Sequence, residues 1–369
     1  MNPKTKNGGH RKHSPVTLKM VAEYAGVTPG TVSAVLNNSE ASRAFPQRTK
    51  DRIHAAAREL KYRPNFMARS LRVKRTHTIG VITEEIGDPY GAMVISGIES
   101  YLRQRGYFFL VVAHRHDRQL LDSYSHLLLQ RGVEGFITVD TSIREMPALP
   151  TVAIAGHRRV PEVTNLVLDH KMAARMALQH LTGLGHEQIA FIRGPESSSD
   201  SVDRWGAIVE VARELGIQIR PGLTIRPKGD AATPEMGHFS AQKLLARNRP
   251  FTALFCYNDN FAIGAILAIQ EAGLRVPADI SVVGFDDITA AAYGNPSITT
   301  VRQPLREMGK LAAKTVVGRI ENGDAYISEI AVKPEFVVRQ STACPRALLP
   351  QKKRISAPIQ LNEQNLAHE

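Results

Sequence analysis

The chain has 369 residues, 43% apolar and 22% charged, with a formal net charge of +12. That length suits two or three domains with real cores, and the balance excludes a chain disordered throughout. No apolar run approaches the ~18–20 residues of a membrane span, the basic start lacks the apolar stretch of a secretory signal, and two cysteines, Cys256 and Cys344, exclude a disulfide framework or multi-cysteine zinc site and fit a reducing cytoplasm.

The charge is not evenly spread. Residues 1–78 hold 16 Lys/Arg against 4 Asp/Glu, the whole of the excess, while the remaining 291 residues hold 31 of each sign. Such asymmetry points to a polyanion-binding module joined to a neutral body. Residues 1–15 read as a disordered basic leader. A helix then starts at Thr17, a natural N-cap, with Leu18, Val21, Ala22 and Ala25 at helical spacing. Gly26 lets the chain turn, Thr28 can cap a second helix, and Pro29 takes its first position, where the missing N–H costs nothing. Val32, Val35 and Leu36 form the inner face of that helix, which ends at 37–39. Two short helices about a glycine turn make a helix-turn-helix, the second placed for the DNA major groove. A third helix over 47–60 packs Ile53, Ala56, Ala57 and Leu60 inward and presents Arg48, Lys50, Arg52 and Arg58 to phosphates.

From Ile79 onward β-rich runs at 79–83, 107–113, 135–139, 151–155, 165–169, 188–193, 253–257 and 280–285 alternate with helical stretches near 90–105, 118–131, 171–184, 201–215, 234–247 and 259–272. Repeated βα units over this span predict two doubly wound parallel sheets, an α/β fold. There is no G-x-G-x-x-G after a strand, no P-loop, no G-x-S-x-G and no H-E-x-x-H, so neither an enzyme nor a cofactor is expected. His114 and His116 flank Arg115 just after a strand, without a nearby cysteine; they read as a loop at a cleft mouth, and no metal is expected. In open α/β sheets ligands meet the carboxyl ends of strands. Asp88 and Tyr90, Arg204, Asn258 with Asp259, and Asp286 with Asp287 all fall there. Each has a plainer reading: Asn258 and Asp259 as caps of the following helix, Arg204 and Asp286 as members of surface ion pairs.

Several of these segments together, Thr17-Leu18 with Val21-Ala22, Ala25-Gly26-Val27, Thr31-Val32-Ser33, Leu36-Asn37, Tyr62-x-Pro64-Asn65, Ala68-Arg69-Ser70-Leu71 and Thr78-Ile79-Gly80, resemble the lactose-repressor (LacI/GalR) family of bacterial transcription regulators. The resemblance covers about residues 16–340. It implies a helix-turn-helix domain at 16–63, a hinge at 64–77, and a periplasmic-binding-protein-like sensor of two lobes at 78–340, with three crossovers and a flexible tail at 341–369. It implies a cytoplasmic, nucleoid-associated homodimer on palindromic operator DNA, controlled by a small polar effector between the lobes. DNA contacts would come from Thr17, Thr28, Pro29, Gly30, Thr31, Ser33, Ala34, Asn37, Tyr62, Asn65, Arg69 and Arg72, with Leu71 a minor-groove wedge or, alternatively, linker packing. Effector contacts would come from Asp88, Tyr90, His157, Arg204, Asn258 and Asp286.

The sequence departs from the family pattern in three places. The connection at 39–46 is about three residues longer than usual; Pro29, Gly30 and Ala34 offer no side-chain hydrogen bonds to bases; and the stretch Gly156-His157-Arg158-Arg159 replaces a ligand-binding residue that many relatives carry, which puts a plain sugar in doubt and admits a sugar acid or phosphate. A different class of function, a solute-binding protein of the same lobes, would have no use for the helix-turn-helix. The tail lacks heptads, so no coiled coil is expected there.

Overall fold

The computed structural model describes residues 16–63, 70, 74–156, 160–196 and 198–345. Residues 1–75 and 76–369 form two compact units.

In the first unit, α1 (Leu18–Ala25) is capped by the Thr17 hydroxyl, which accepts from the Met20 N–H at 3.3 Å, and ends at Gly26 with φ +60°. α2 (Pro29–Leu36) is capped by Thr28, which accepts from Thr31 N–H. The added residues before α3 (Gln47–Glu59) wind into a 3₁₀ turn, Glu40–Ala44. The apolar spacing does what it predicts: Val21, Ala22, Ala25, Val32, Val35, Ile53 and Ala56 are each at most 5% exposed and share one core.

The second unit holds two six-stranded sheets. The first contains β1 (Thr78–Thr83), β2 (Phe108–Ala113), β3 (Gly135–Val139), β4 (Thr151–Ile154), β5 (Val163–Leu168) and β11 (Glu329–Val332), in the order β11-β5-β4-β3-β1-β2, all parallel. The second contains β6 (Ile189–Ile192), β7 (Thr224–Ile225), β8 (Ala253–Cys256), β9 (Ser281–Asp286), β10 (Thr299–Arg302) and β12 (Glu335–Val337), in the order β12-β10-β9-β8-β6-β7, parallel except for β12. Helices α4 (Pro89–Gln104) and α5 (Arg118–Gln130) connect strands of the first sheet; α6 (His170–Gly183), α7 (Ser199–Glu214), α8 (Pro234–Ala246), α9 (Asp259–Glu271) and the short α10 (Thr289–Tyr293) belong to the second; α11 (Leu305–Glu321) returns to the first. The chain passes between lobes three times, after β5, after β10 and between β11 and β12. The first and third passages touch, Asp169 N–H donating to Val332 O at 2.9 Å.

Several elements go beyond the sequence reading: β7, α10, β10, β11, β12 and the 17-residue α11. α11 lies close against α4 because each contributes a glycine to the contact. A Cβ on Gly97 would sit 2.0 Å from Arg306 O, and one on Gly309 2.1 Å from Val94 O. The tail boundary at 340 also needs correction. Ser341 is fully buried, its carbonyl accepts from Val282 N–H at 2.8 Å, and Ala343 N–H donates to the Ser281 hydroxyl at 3.0 Å, so the chain is packed through Ala343. Among the described residues no helix is long and apolar enough to cross a membrane.

Candidate functional site

On the first unit, Thr17, Thr28, Pro29 and Gly30 are exposed and Thr31, Ala34 and Asn37 half-buried, with the Thr28 and Thr31 hydroxyls 2.9 Å apart at the start of α2. Ser33 is a correction. It is 7% exposed, and both its carbonyl and its hydroxyl accept from Asn37 Nδ2, at 2.7 and 3.3 Å. It is therefore closed to a base edge, and it turns the Asn37 amide N–H groups inward, leaving only Asn37 Oδ1 for a base donor. Arg43 in the added 3₁₀ turn joins Arg48, Arg52 and Arg58 as an exposed cation. Tyr62 packs half-buried against the three-helix core, which raises its phenol above the usual range. Asn65, Arg69, Leu71 and Arg72 lie outside the described residues.

In the second unit a cavity of about 430 Å³ is lined by Asp88, Tyr90, Arg204, Asn258 and Asp286 together, with Glu84, His116, Asp140, Ser198, Asp200, Tyr257 and others. His157 lies outside the described residues. The position follows from topology: Glu84 comes just after β1, Asp140 just after β3, Asn258 after β8, and Asp286 ends β9. Asp140 and Asp286 carry positive φ, +43° and +104°, and a non-glycine residue at +104° is a strained backbone of the kind that clusters at ligand sites.

Arg204 is not a surface ion-pair member; it is 3% exposed. Its guanidinium donates to Asp200, and at 2.5 Å to Tyr257 O, and lies 3.8 Å from Asp286 Oδ1. It stacks over the rings of Phe285 and Tyr257, 3.7 and 4.5 Å from their centroids. Burial opposes its charge, but Asp200, Tyr257 and Asp286 outweigh burial and hold its pKa above the ordinary value. Asp286 accepts from Gln303 Nε2 at 2.7 Å; burial pushes its carboxyl well up, with Arg204 opposing. Asn258 is a cap and a cavity residue at once, accepting from Phe261 N–H at 2.9 Å while lining the space. Asp88 likewise caps α4, accepting from Gly91 N–H at 3.0 Å, and burial raises its carboxyl. The neighbouring acids are structural. Asp259 accepts from Thr300 Oγ1 and Ile288 N–H, and Asp287 is paired with Arg302 and Arg339.

Glu84, Asp140 and Asp200 were not among the predicted residues. Glu84 and Asp140 hydrogen-bond to each other; burial, then the neighbouring Asp140, pushes Glu84 to about 9, while burial, then Asp200, pushes Asp140 to about 7. At neutral pH the pair therefore retains a proton. Both would follow from the strand-end rule applied to β1 and β3, and Asp200 from its i,i+4 spacing to Arg204 on α7. His116 reaches the same place, its Nε2 2.5 Å from Glu84 Oε1. Among the described residues no group of three or more His, Cys, Asp or Glu side chains is placed to hold a metal ion.

Comparison with known proteins gives a consistent result. Residues 17–65 match the model for bacterial regulatory proteins of the lacI family, and residues 178–342 the periplasmic binding protein-like domain. The chain is 31% identical over 335 residues to the HTH-type transcriptional repressor PurR of Haemophilus influenzae, covering 88% of this chain and 98% of that one. Its likeness to PurR of Erwinia tasmaniensis is 32% over 339 residues, covering 89% and 97%. Among solved structures it is similar to a lac repressor dimer bound to operator and the anti-inducer ONPF (TM-score 0.78, 29% identity, 89% of this chain and 100% of that one). It is also similar to a complex of the transcriptional regulator CelR with cellobiose (TM-score 0.66, 29% identity, 88% and 99%).

Proposed function

This chain belongs to the lacI family of bacterial regulatory proteins and is a DNA-binding transcriptional regulator, not an enzyme, and we propose that it is a cytoplasmic repressor whose operator affinity is set by a small polar molecule held between the two lobes. Residues 16–63 bind DNA, 64–77 form the hinge, and the sensor runs from 78 through Ala343. The protein acts as a homodimer, as the lac repressor structure it resembles is a dimer bound to operator, and two helix-turn-helix units related by a two-fold axis read a roughly palindromic site. The observation that carries the effector reading is convergence: Asp88, Tyr90, Arg204, Asn258 and Asp286, from at or just beyond the ends of β1, β8 and β9 and from α7, border one cavity. A ligand there acts by its different affinity for DNA-competent and incompetent states. A solute-binding protein would leave the basic three-helix unit without a task.

The test is selection of duplexes from random DNA by the full-length protein. An inverted repeat is expected, with affinity falling steeply as salt rises, by ~0.9 in the log–log slope per neutralised phosphate. Thr28→Glu on the exposed start of α2 should abolish binding, with only about 1 kcal/mol of stability lost from the N-cap and the helices still folded by circular dichroism. Enrichment of no inverted repeat, or binding that survives Thr28→Glu, would overturn the reading.

A further inference from the structure

Taking the cleft as the effector site, we infer that its ligand is a polyhydroxylated amine, an amino sugar or aminocyclitol in protonated form, whose ammonium is received by Glu84 and Asp140. The described lining carries eight Asp or Glu residues, but only one guanidinium, Arg204, and one imidazole, His116, as basic partners. Both are already engaged. Arg204 serves Asp200 and Asp286, and His116 lies against Glu84. Asp88 is satisfied by the N–H groups of its helix. What remains is a pair of carboxyls on the adjacent strand ends of β1 and β3, touching each other, with Asp88, Asp200 and Asp230 facing them and, among the described residues besides Arg204 and His116, only the Ser198 hydroxyl, 3.5 Å from Asp140 Oδ1, as a donor. Two carboxyls in contact keep a proton because both cannot ionise without a counter-charge. An ammonium supplies that charge and three donors in its place.

A second observation points independently to a ligand in this space. The Tyr90 side chain is nine-tenths buried on the cavity wall, and among the described residues its hydroxyl has no hydrogen-bond partner; neither has Arg204 Nε. Buried polar atoms of this kind are rare unless something else completes them. A hydroxyl of the ligand can complete the Tyr90 oxygen, while Asn258 borders the same cavity. Among the described residues, an anion would have to approach a lining of eight carboxyls with its one guanidinium already spent. The expectation of a sugar acid or phosphate rested on His157, Arg158 and Arg159, which lie outside the described residues.

The test compares skeleton-matched probes on the full-length dimer by isothermal calorimetry: glucosamine, glucose and glucuronate, and the open-chain set glucamine, sorbitol and gluconate, each up to about 10 mM, the range in which a single charged anchor registers. Each amine is expected to bind at least ~10-fold tighter than its neutral and anionic counterparts, a difference of about 1.4 kcal/mol. Glucamine, an amine of lysine-like basicity, should release protein protons on binding, seen as a dependence of the heat on buffer ionisation, and bind more tightly as pH rises from about 6 to about 8. Asp140→Asn, and Glu84→Gln with Asp140→Asn, should remove both the preference and the proton release. Tighter binding of a neutral or anionic probe, amine binding unchanged in the variants, or silence of every amine would each overturn the inference. An anion or neutral sugar that binds in the cleft and changes operator affinity would sink the amine and leave the regulator standing; an amine bound there without effect on operator affinity would do the reverse.

Discussion

Replacing Arg204 by methionine keeps the apolar stem over Phe285 and removes the charge from a site that is 3% exposed. Breaking a buried ion pair by deleting one partner costs about 3–5 kcal/mol, because the surviving charge is left desolvated. Two carboxyls face Arg204, but they are not equal. Asp286 is held well above the usual carboxylate range by burial, even with Arg204 beside it, and has Gln303 as a second donor, so it is easily neutralised. Asp200 is in direct contact with the guanidinium. The loss therefore falls at the lower end, about 3 kcal/mol at pH 7, or roughly 6–12 °C in melting temperature for a domain of this size. The sign with pH follows. Orphaned carboxyls have folded pKa values above their unfolded ones, so their destabilisation is absent below about pH 4 and grows as pH rises toward the raised values. Denaturant unfolding of wild type, Arg204→Met and Arg204→Met with Asp200→Asn at several pH values measures this, and the double variant should recover most of the loss. A gap under about 1 kcal/mol at neutral pH, or the same gap at about pH 5 and pH 8, would refute the reasoning.

Gly309→Ala should cost about 1–3 kcal/mol by forcing α11 off α4, whereas Gly206→Ala, with nothing within 4 Å of the added methyl on α7, should gain about 0.5–1; calorimetry of the pair decides. Asp259, pushed to about 7 by burial, makes the wild type lose stability as pH rises from about 4 to 7, so Asp259→Asn should be the less stable protein at low pH, through a weakened bond to Thr300 or Ile288, with the gap closing toward neutrality. Arg52→Ala should weaken operator and random DNA alike and reduce the salt slope by about 0.9; a sequence-dependent loss would mean that it reads bases. Leu71→Ala should lose operator specificity and DNA bending but keep non-specific affinity, and wild-type bending by circular-permutation mobility would reduce Leu71 to linker packing.

Where local pattern and burial agree, the sequence was legible. β1, β3 and β9 are apolar runs buried on both faces, and α1 and α2 announce their caps with Thr17 and Thr28. The missed elements are those whose reasons lie far along the chain. β10, β11 and β12 have three or four residues each and exist only because β9, β5 and β10 offer an edge. α11 carries Gly309 and Gly318, which depress helix propensity; Gly309 is explained only by its contact with α4. The site divides the same way. Tyr90, Arg204, Asn258 and Asp286 stand at strand ends or in a matching motif. The contact of Glu84 with Asp140 requires knowing that β1 and β3 are neighbours although β2 lies between them in sequence.

That neighbour relation also gives the proposed ligand a way to move the lobes. The first passage between lobes leads into His170, whose Nε2 lies 3.0 Å from Asp200 Oδ1; the second passes through Gln303, whose amide donates to Asp286. Asp200 and Asp286 both face Arg204, and all three border the cavity. Two of the three passages are thus tied to carboxylates that a bound molecule would touch, while Glu84 and Asp140 belong to the other lobe. A ligand spanning from Glu84 and Asp140 to Arg204 bonds to both sides of the cleft and to the anchors of the passages together. Such a ligand can distinguish an open from a closed arrangement by several hydrogen bonds at about 1 kcal/mol each, which is the size of a typical allosteric coupling. A ligand confined to one lobe would bind both arrangements equally and shift nothing, however tightly it bound.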